Sequence, residues 1–231
     1  MIAKKLWLSF ISFLLVAAIC FIYIGAISVI NVVNTINSPR PTIIIDAGHG
    51  GFDGGASNGD VLEKDINLSL ALYLKDLLSM LNYDIIMIRT TDKAVNTFGE
   101  SIRDKKISDM QNRLKVIKNN PNALFISIHL NKYSTSGPSG LQVFYSPNNE
   151  KSALLAQNIQ LSVKDILQKE NHRKIKRATK DTYLLYNAPS PAVIVECGFL
   201  SNEKDFNNLT NDIYQRKLCF AIMCGIISTN T

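Results

Sequence analysis

The chain has 231 residues, a formal net charge of +6 and 46% hydrophobic residues. With an N-terminal apolar run set aside, roughly 190 residues remain, enough for one domain with a substantial core, and the aliphatic runs exclude a disordered polymer. The charge favours encounter with anionic polymers or surfaces, but no aromatic platform is interleaved with basic residues, so nucleic acid is not an expected partner.

Lys4 and Lys5 precede an uncharged run from Leu6 to Val33. That run exceeds both the roughly 20 residues that cross a hydrocarbon core and the about 7–15 apolar residues of a cleaved signal peptide. The reading is a short basic cytoplasmic end over 1–5, a transmembrane anchor over 6–33 and a large domain outside the cytoplasm. A linker with two prolines follows over 34–41, and one domain fills 42–231. Cys20 lies in the apolar run. Cys197, Cys219 and Cys224 are an odd set in apolar surroundings and read as buried thiols, not as a disulfide framework.

Thr42–Asp46 is apolar at nearly every position, as a central parallel strand would be. Similar short cores recur at Asp84–Ile88, Leu124–Ile128, Leu141–Tyr145 and Ala192–Val195. Helical patterns lie between them. Glu63–Leu81 carries Ile66, Leu70, Leu74, Leu77, Leu78 and Leu81 mostly on one stripe, and Arg103–Asn119, Glu150–Lys169 and Asp212–Ile227 follow. Strands alternating with helices of this length imply an α/β sandwich. The basic segment His172–Arg177 reads most plainly as a solvated charge run; its other reading is a role near an anionic glycan or peptide stem.

A zinc hydrolase needs three protein ligands and an open position for water, and the chain has three histidines. His49 follows the first strand in the glycine-rich DAGHGG, and His129 follows the strand LFISI. Both sit at the carboxyl ends of apolar strands, where open α/β sheets place ligand sites. His172, in the charged segment, is the weakest candidate. Glu63 opens a helix after a run containing Gly50, Gly51, Gly54, Gly55 and Gly59, flexible enough to bring it back to the strand end. Glu196 ends the apolar PAVIV, where an acid is costly to bury without a cation or metal nearby. Each has a plainer reading when taken alone: a backbone-bonded turn histidine, a core-edge histidine, a first-turn helix carboxylate. Spacing does not show that they converge. Phosphate cradling lacks GxxxxGK, there is no GxSxG elbow, and Cys197 inside VIVECGF reads as structural.

Four stretches, IIIDAGHGGFDGGA, LEKDINLSLALYLKDLL, ISIHLN and PAVIVECGFLSN, resemble in order the motifs of the zinc-dependent N-acetylmuramoyl-L-alanine amidases of the third amidase family. IRTTD and Arg113 in QNRLKVIKNNPNALF also match its habit, and the likeness covers Thr42 to the end. The resemblance implies a mixed, mostly parallel sheet of about six strands between helices. It implies His49, Glu63 and His129 as zinc ligands and Glu196 as the catalytic carboxylate. Asp46 would support a ligand, and Arg89, Arg103 or Arg113 would meet stem carboxylates or pair within the fold. Leu130 stands where the family commonly has alanine, which would make the wall of the site bulkier. No wall-binding repeats are present. An anchor with a minimal catalytic domain resembles the spore-cortex members from endospore-forming bacteria. That implies peptidoglycan as substrate, a single-pass location at the forespore envelope facing the cortex, and an activating or recruiting envelope protein as a partner. Another zinc peptidase or amidohydrolase, or a non-catalytic wall-binding scaffold, stays open on the residues alone.

Overall fold

Residues 15–23, 40–134 and 137–229 are described by the structure, a computed structural model, and the chain divides into two compact units, Met1–Arg40 and Pro41–Thr231. In the first unit, residues 15–23 form a helix, α1. No helix among the described residues is long and apolar enough to cross a membrane. This overturns the single-pass anchor expected over 6–33. With it go the expected membrane attachment through that helix, the placement of the large domain across a membrane, and the single-pass location at the forespore envelope. Residues 6–14 and 24–33 of that run lie outside the described residues. An apolar count is only half of the requirement: in lipid the backbone groups must also be satisfied by an unbroken helix of about 20 residues.

In the second unit the elements follow in order: β1 (Ile43–Ala47), β2 (Ser57–Asn58), β3 (Val61–Leu62), α2 (Glu63–Met80), β4 (Ile85–Met87), α3 (Ile102–Asn119), β5 (Leu124–Asn131), β6 (Gln142–Tyr145), α4 (Lys151–Ile166), β7 (Lys176–Arg177), α5 (Tyr183–Asn187), β8 (Ala192–Phe199), α6 (Glu203–Leu209) and α7 (Asp212–Ile227). Six strands form one sheet in the order β4-β1-β5-β8-β6-β7, and β2 pairs with β3 in a hairpin. All pairs in the large sheet are parallel except β6 with β8. The mixed, mostly parallel α/β sheet between helices is therefore as expected.

The strands read as continuous apolar runs because both faces are covered. On β1, Ile43 and Ile45 enter the core beneath α2, α4 and α7, with Leu70, Leu74, Ile159 and Ile222. Ile44 enters the opposite core beneath α3 and α5, with Leu114, Ile117, Phe125 and Leu185. Helix α2 buries Ile66, Leu70, Leu74 and Leu78 as one stripe. Helix α3 starts at a capping box in which Ser101 Oγ accepts from Asp104 N at 3.1 Å. Because β1, β5 and β8 run parallel, their carboxyl ends meet at one edge of the sheet, where the site lies. The cysteines are free, with Cys197 and Cys219 buried and Cys224 half-buried. Burial pushes the Cys197 thiol well above its ordinary value, as suits a structural residue.

Candidate metal centre

After β1 the chain must turn sharply while staying close to β5. A Cβ on Gly48 would sit 2.3 Å from the His129 ring, so only glycine lets that imidazole pack over the turn. His49 then takes φ +61, a conformation that costs an L-residue roughly 1–2 kcal/mol. Two buried arginines hold it there by its backbone. Arg89 donates from Nε to Ala47 O (2.8 Å) and from NH2 to Gly48 O (2.9 Å). Arg113 donates from NH1 to Ala47 O (3.1 Å) and from NH2 to His49 O (2.8 Å). Arg113 is itself held by Asp109 on its own helix and by Asp46 on β1, and Asp46 also accepts from Ser127 Oγ at 2.7 Å.

The β2–β3 hairpin brings the first residue of α2 back to this turn, with Glu63 N donating to Ala56 O at 2.8 Å. Glu63 is 3% exposed. Its Oε2 accepts from Ala56 N (2.8 Å), and its Oε1 accepts from Leu130 N (3.0 Å) and Asn67 Nδ2 (3.2 Å). The same Oε1 lies 3.3 Å from His49 Nε2 and 3.1 Å from His129 Nδ1. Burial works against the Glu63 charge, but the two imidazoles outweigh it and hold the carboxyl well below the usual range. Gly55, at φ +69, passes so close that a Cβ would lie 2.7 Å from both Glu63 Oε2 and His49 Cδ2.

Asp53 settles which nitrogen His49 presents: Nδ1 donates to Asp53 Oδ2 at 2.8 Å, which leaves Nε2 facing Glu63. Lys106 Nζ, 3.0 Å away, supports Asp53 in turn. Burial alone would lower the His49 imidazole, but the bonds to Asp53 and Glu63 push it up to about 9. The ligand atoms of His49, Glu63 and His129 all lie within 4.8 Å of one another, and the two rings are 5.0 Å apart at 76°. Two imidazole nitrogens and one carboxylate oxygen, braced on the protein side, fit a zinc ion with an open position.

Glu196 reaches the same place from β8. It is the register partner of His129 on β5 and of Gln142 on β6, so the three side chains form a row across three strands. The β5–β8 register shifts just beyond, between His129 and Asn131, and pairing resumes at Asn131 with Phe199. Glu196 is half-buried, and its Oε2 is buried with no hydrogen-bond partner. Burial raises its carboxyl above the ordinary value, and the charge of Glu63 adds to this against the pull of His129.

The structure thus brings His49, Glu63, His129 and Glu196 to one edge of the sheet, while His172 is exposed and outside the cluster. Arg89 and Arg113 are turned inward and committed to the turn, and Arg103 is exposed. Asp46 touches no ligand side chain; it acts through Arg113. The ligand-orienting carboxylate is Asp53, four residues after His49 in DAGHGGFDGG, a spacing that sequence reasoning passed over. Leu130 does not line the site. It is 4% exposed and lies in the core beneath α2, because it sits one residue past His129 on a strand whose side chains alternate.

Comparison with known proteins agrees with this geometry. The family described as N-acetylmuramoyl-L-alanine amidase matches residues 43–228. The germination-specific N-acetylmuramoyl-L-alanine amidase of Bacillus subtilis (strain 168) is 33% identical over 226 residues, which cover 97% of this chain and 94% of that protein. The structure of the CwlD amidase from Clostridioides difficile in complex with the GerS lipoprotein is similar at a TM-score of 0.78 and 38% identity, covering 83% of this chain and 98% of that one. The N-acetylmuramoyl-L-alanine amidase from Clostridium difficile 630 has a TM-score of 0.71 and 27% identity, with 83% and 97% covered.

Proposed function

This chain belongs to the N-acetylmuramoyl-L-alanine amidase family, and on that premise we propose that it hydrolyses the amide between the lactyl group of N-acetylmuramic acid and the L-alanine of the peptidoglycan stem. We place this reaction in the spore cortex, as a step toward muramic δ-lactam. The likeness to the germination-specific Bacillus subtilis enzyme along nearly the whole of both chains supports that setting. The similar Clostridioides difficile amidase is solved in complex with a lipoprotein, which supports an envelope protein as a partner for this chain.

The observation that carries the reading is Glu196, a carboxylate with an unpartnered buried oxygen set beside His129 in the sheet. His49, Glu63 and His129 would hold the zinc, which when bound lowers the pKa of water toward 7 and polarises the scissile carbonyl. Glu196, raised by burial, is suited to take a proton from the attacking water and to hand a proton to the departing α-amine of L-alanine. The C–N bond breaks as the new C–O bond forms, leaving a lactyl carboxylate and a free stem. As an anionic ligand, Glu63 lowers the net charge of the centre relative to three neutral histidines. Digestion of purified muropeptides with the zinc-loaded protein is expected to release stems that begin with a free L-alanine amine, detected by mass. Cleavage at any other bond would overturn the assignment.

A further inference from the structure

The basic segment His172–Arg177 is held against the sheet at both ends. Asn171 is buried and donates from Nδ2 to Leu141 O at 2.8 Å, while its Oδ1 accepts from Arg173 N at 2.9 Å. Lys176 and Arg177 form the edge strand β7 against β6. Between these anchors the Arg173 guanidinium lies over the Phe199 ring, 4.9 Å from its centre, and its NH2 donates to Gln142 Oε1. Gln142 Nε2 donates to Lys174 O at 2.8 Å, so both ends of this amide serve to bracket Arg173.

Gln142 is the cross-strand partner of Glu196, which places Arg173 at the end of the row His129–Glu196–Gln142. The Arg173 Nε is buried, and among the described residues nothing accepts from it. Such a fork is clamped on one face and one nitrogen but lacks an acceptor, and a planar carboxylate matches that need. Arg173 also lines a cavity of about 570 Å³ with Lys169, His172 and Lys204. Of the two acids on its wall, Glu170 and Asp205, the second is taken up by Gly140 N (2.8 Å) and Phe199 N (3.0 Å). The wall therefore favours an anionic occupant, and Arg173, through its bond to Gln142, is the residue that links this cavity to the reacting row.

We propose that Arg173 is a substrate-positioning residue that receives a carboxylate of the peptide stem, so that the stem lies along this cavity with its alanine amide at Glu196. This rests on the reading of the reaction given above and adds the subsite. The test is binding, measured on zinc-loaded Glu196→Gln protein. The probes are a lactyl-L-alanyl peptide with a free carboxylate on the residue after alanine, and the same peptide amidated there. The free acid is expected to bind about tenfold more tightly, the scale of a charge-assisted fork. Adding Arg173→Gln should remove that preference by weakening only the acid, and Arg173→Lys, which keeps the charge but not the fork, should fall between. Equal weakening of both peptides, as a general loss of fold would give, or a preference that survives Arg173→Gln, overturns the proposal. If Arg173→Gln does not fold, Arg173→Lys decides: an unchanged preference overturns the subsite. The reaction reading fails separately, if wild-type protein leaves the lactyl–alanine bond intact while the carboxylate preference persists.

Discussion

The two carboxylates at the sheet edge, Glu63 and Glu196, are held in opposite ways. Around Glu63 every oxygen is partnered, by Ala56 N, Leu130 N, Asn67 Nδ2 and two imidazoles. The turn beside it is tied by Arg89 and Arg113 through three successive carbonyls. Around Glu196 a buried oxygen has no partner, and the next basic residue along the row, Arg173, also has a donor without an acceptor. A buried polar group left unmade is costly. Along the row, Glu196 and Arg173 each keep an unmet atom, whereas both oxygens of Glu63 are partnered where a metal must be fixed; the unmet Oδ1 of Asn67 lies behind that partnered carboxylate. The braced side sets geometry, and the open side is left to react.

Breaking the braced side should have the largest effect. His49→Ala removes a ligand, so zinc occupancy of the purified protein and hydrolysis should both fall to background, as metal analysis and muropeptide digestion would report. Next comes the support beneath the turn. Arg113→Met leaves Asp46 buried without its cation, and a broken buried pair costs about 3–5 kcal/mol; denaturant unfolding should show a loss of that order. A loss below about 1 kcal/mol would mean that the turn is not held as described. Asp53→Asn should sharpen the contrast more gently. The imidazole loses the carboxylate that fixes its tautomer, and zinc affinity should drop about 10–100-fold with little change in folding.

The smallest effect is a slope with pH in chelated protein. His49 rises from 6.5 to about 9 on folding, so its contribution to stability is fully present below 6.5 and is lost as pH climbs through about 9. Glu63 and Asp53 are both lowered, so their contributions are constant across that window. The melting temperature of the chelated protein should therefore decline between pH 6.5 and 9, and His49→Gln should flatten the decline. Zinc affinity should rise over the same range, since the proton must leave the imidazole first.

Much of this was legible beforehand for definite reasons. Strands buried on both faces read as unbroken aliphatic runs, and α2 shows its stripe at Ile66, Leu70, Leu74 and Leu78. Two histidines and Glu196 stand at the ends of such runs, so the sheet itself brings them together once its order places β1, β5 and β8 side by side. The hairpin β2–β3, the edge strand β7 and helix α5 were not legible, because elements of two to five residues carry no period. That hairpin is what returns Glu63 to the turn, so convergence of the ligands could not be read from spacing. Arg173 lay concealed in a charge run, since nothing in the composition tells a clamped guanidinium from a solvated one. The inward direction of Leu130 was within reach, by counting one step from His129 along an alternating strand. The anchor over 6–33 rested on apolar composition alone, and no helix among the described residues is long and apolar enough to cross a membrane.

The central claim is that binding and reacting are divided between the two carboxylates, and Glu196→Gln tests it most directly when zinc content and turnover are measured on the same preparation. The substitution leaves all three ligands and their supports in place, so zinc should remain stoichiometric while release of L-alanine-terminated stems falls by about 10²–10⁴-fold, the range for losing a general base. A folded Glu196→Gln protein that still cleaves, or one that loses its zinc along with activity, would contradict that division.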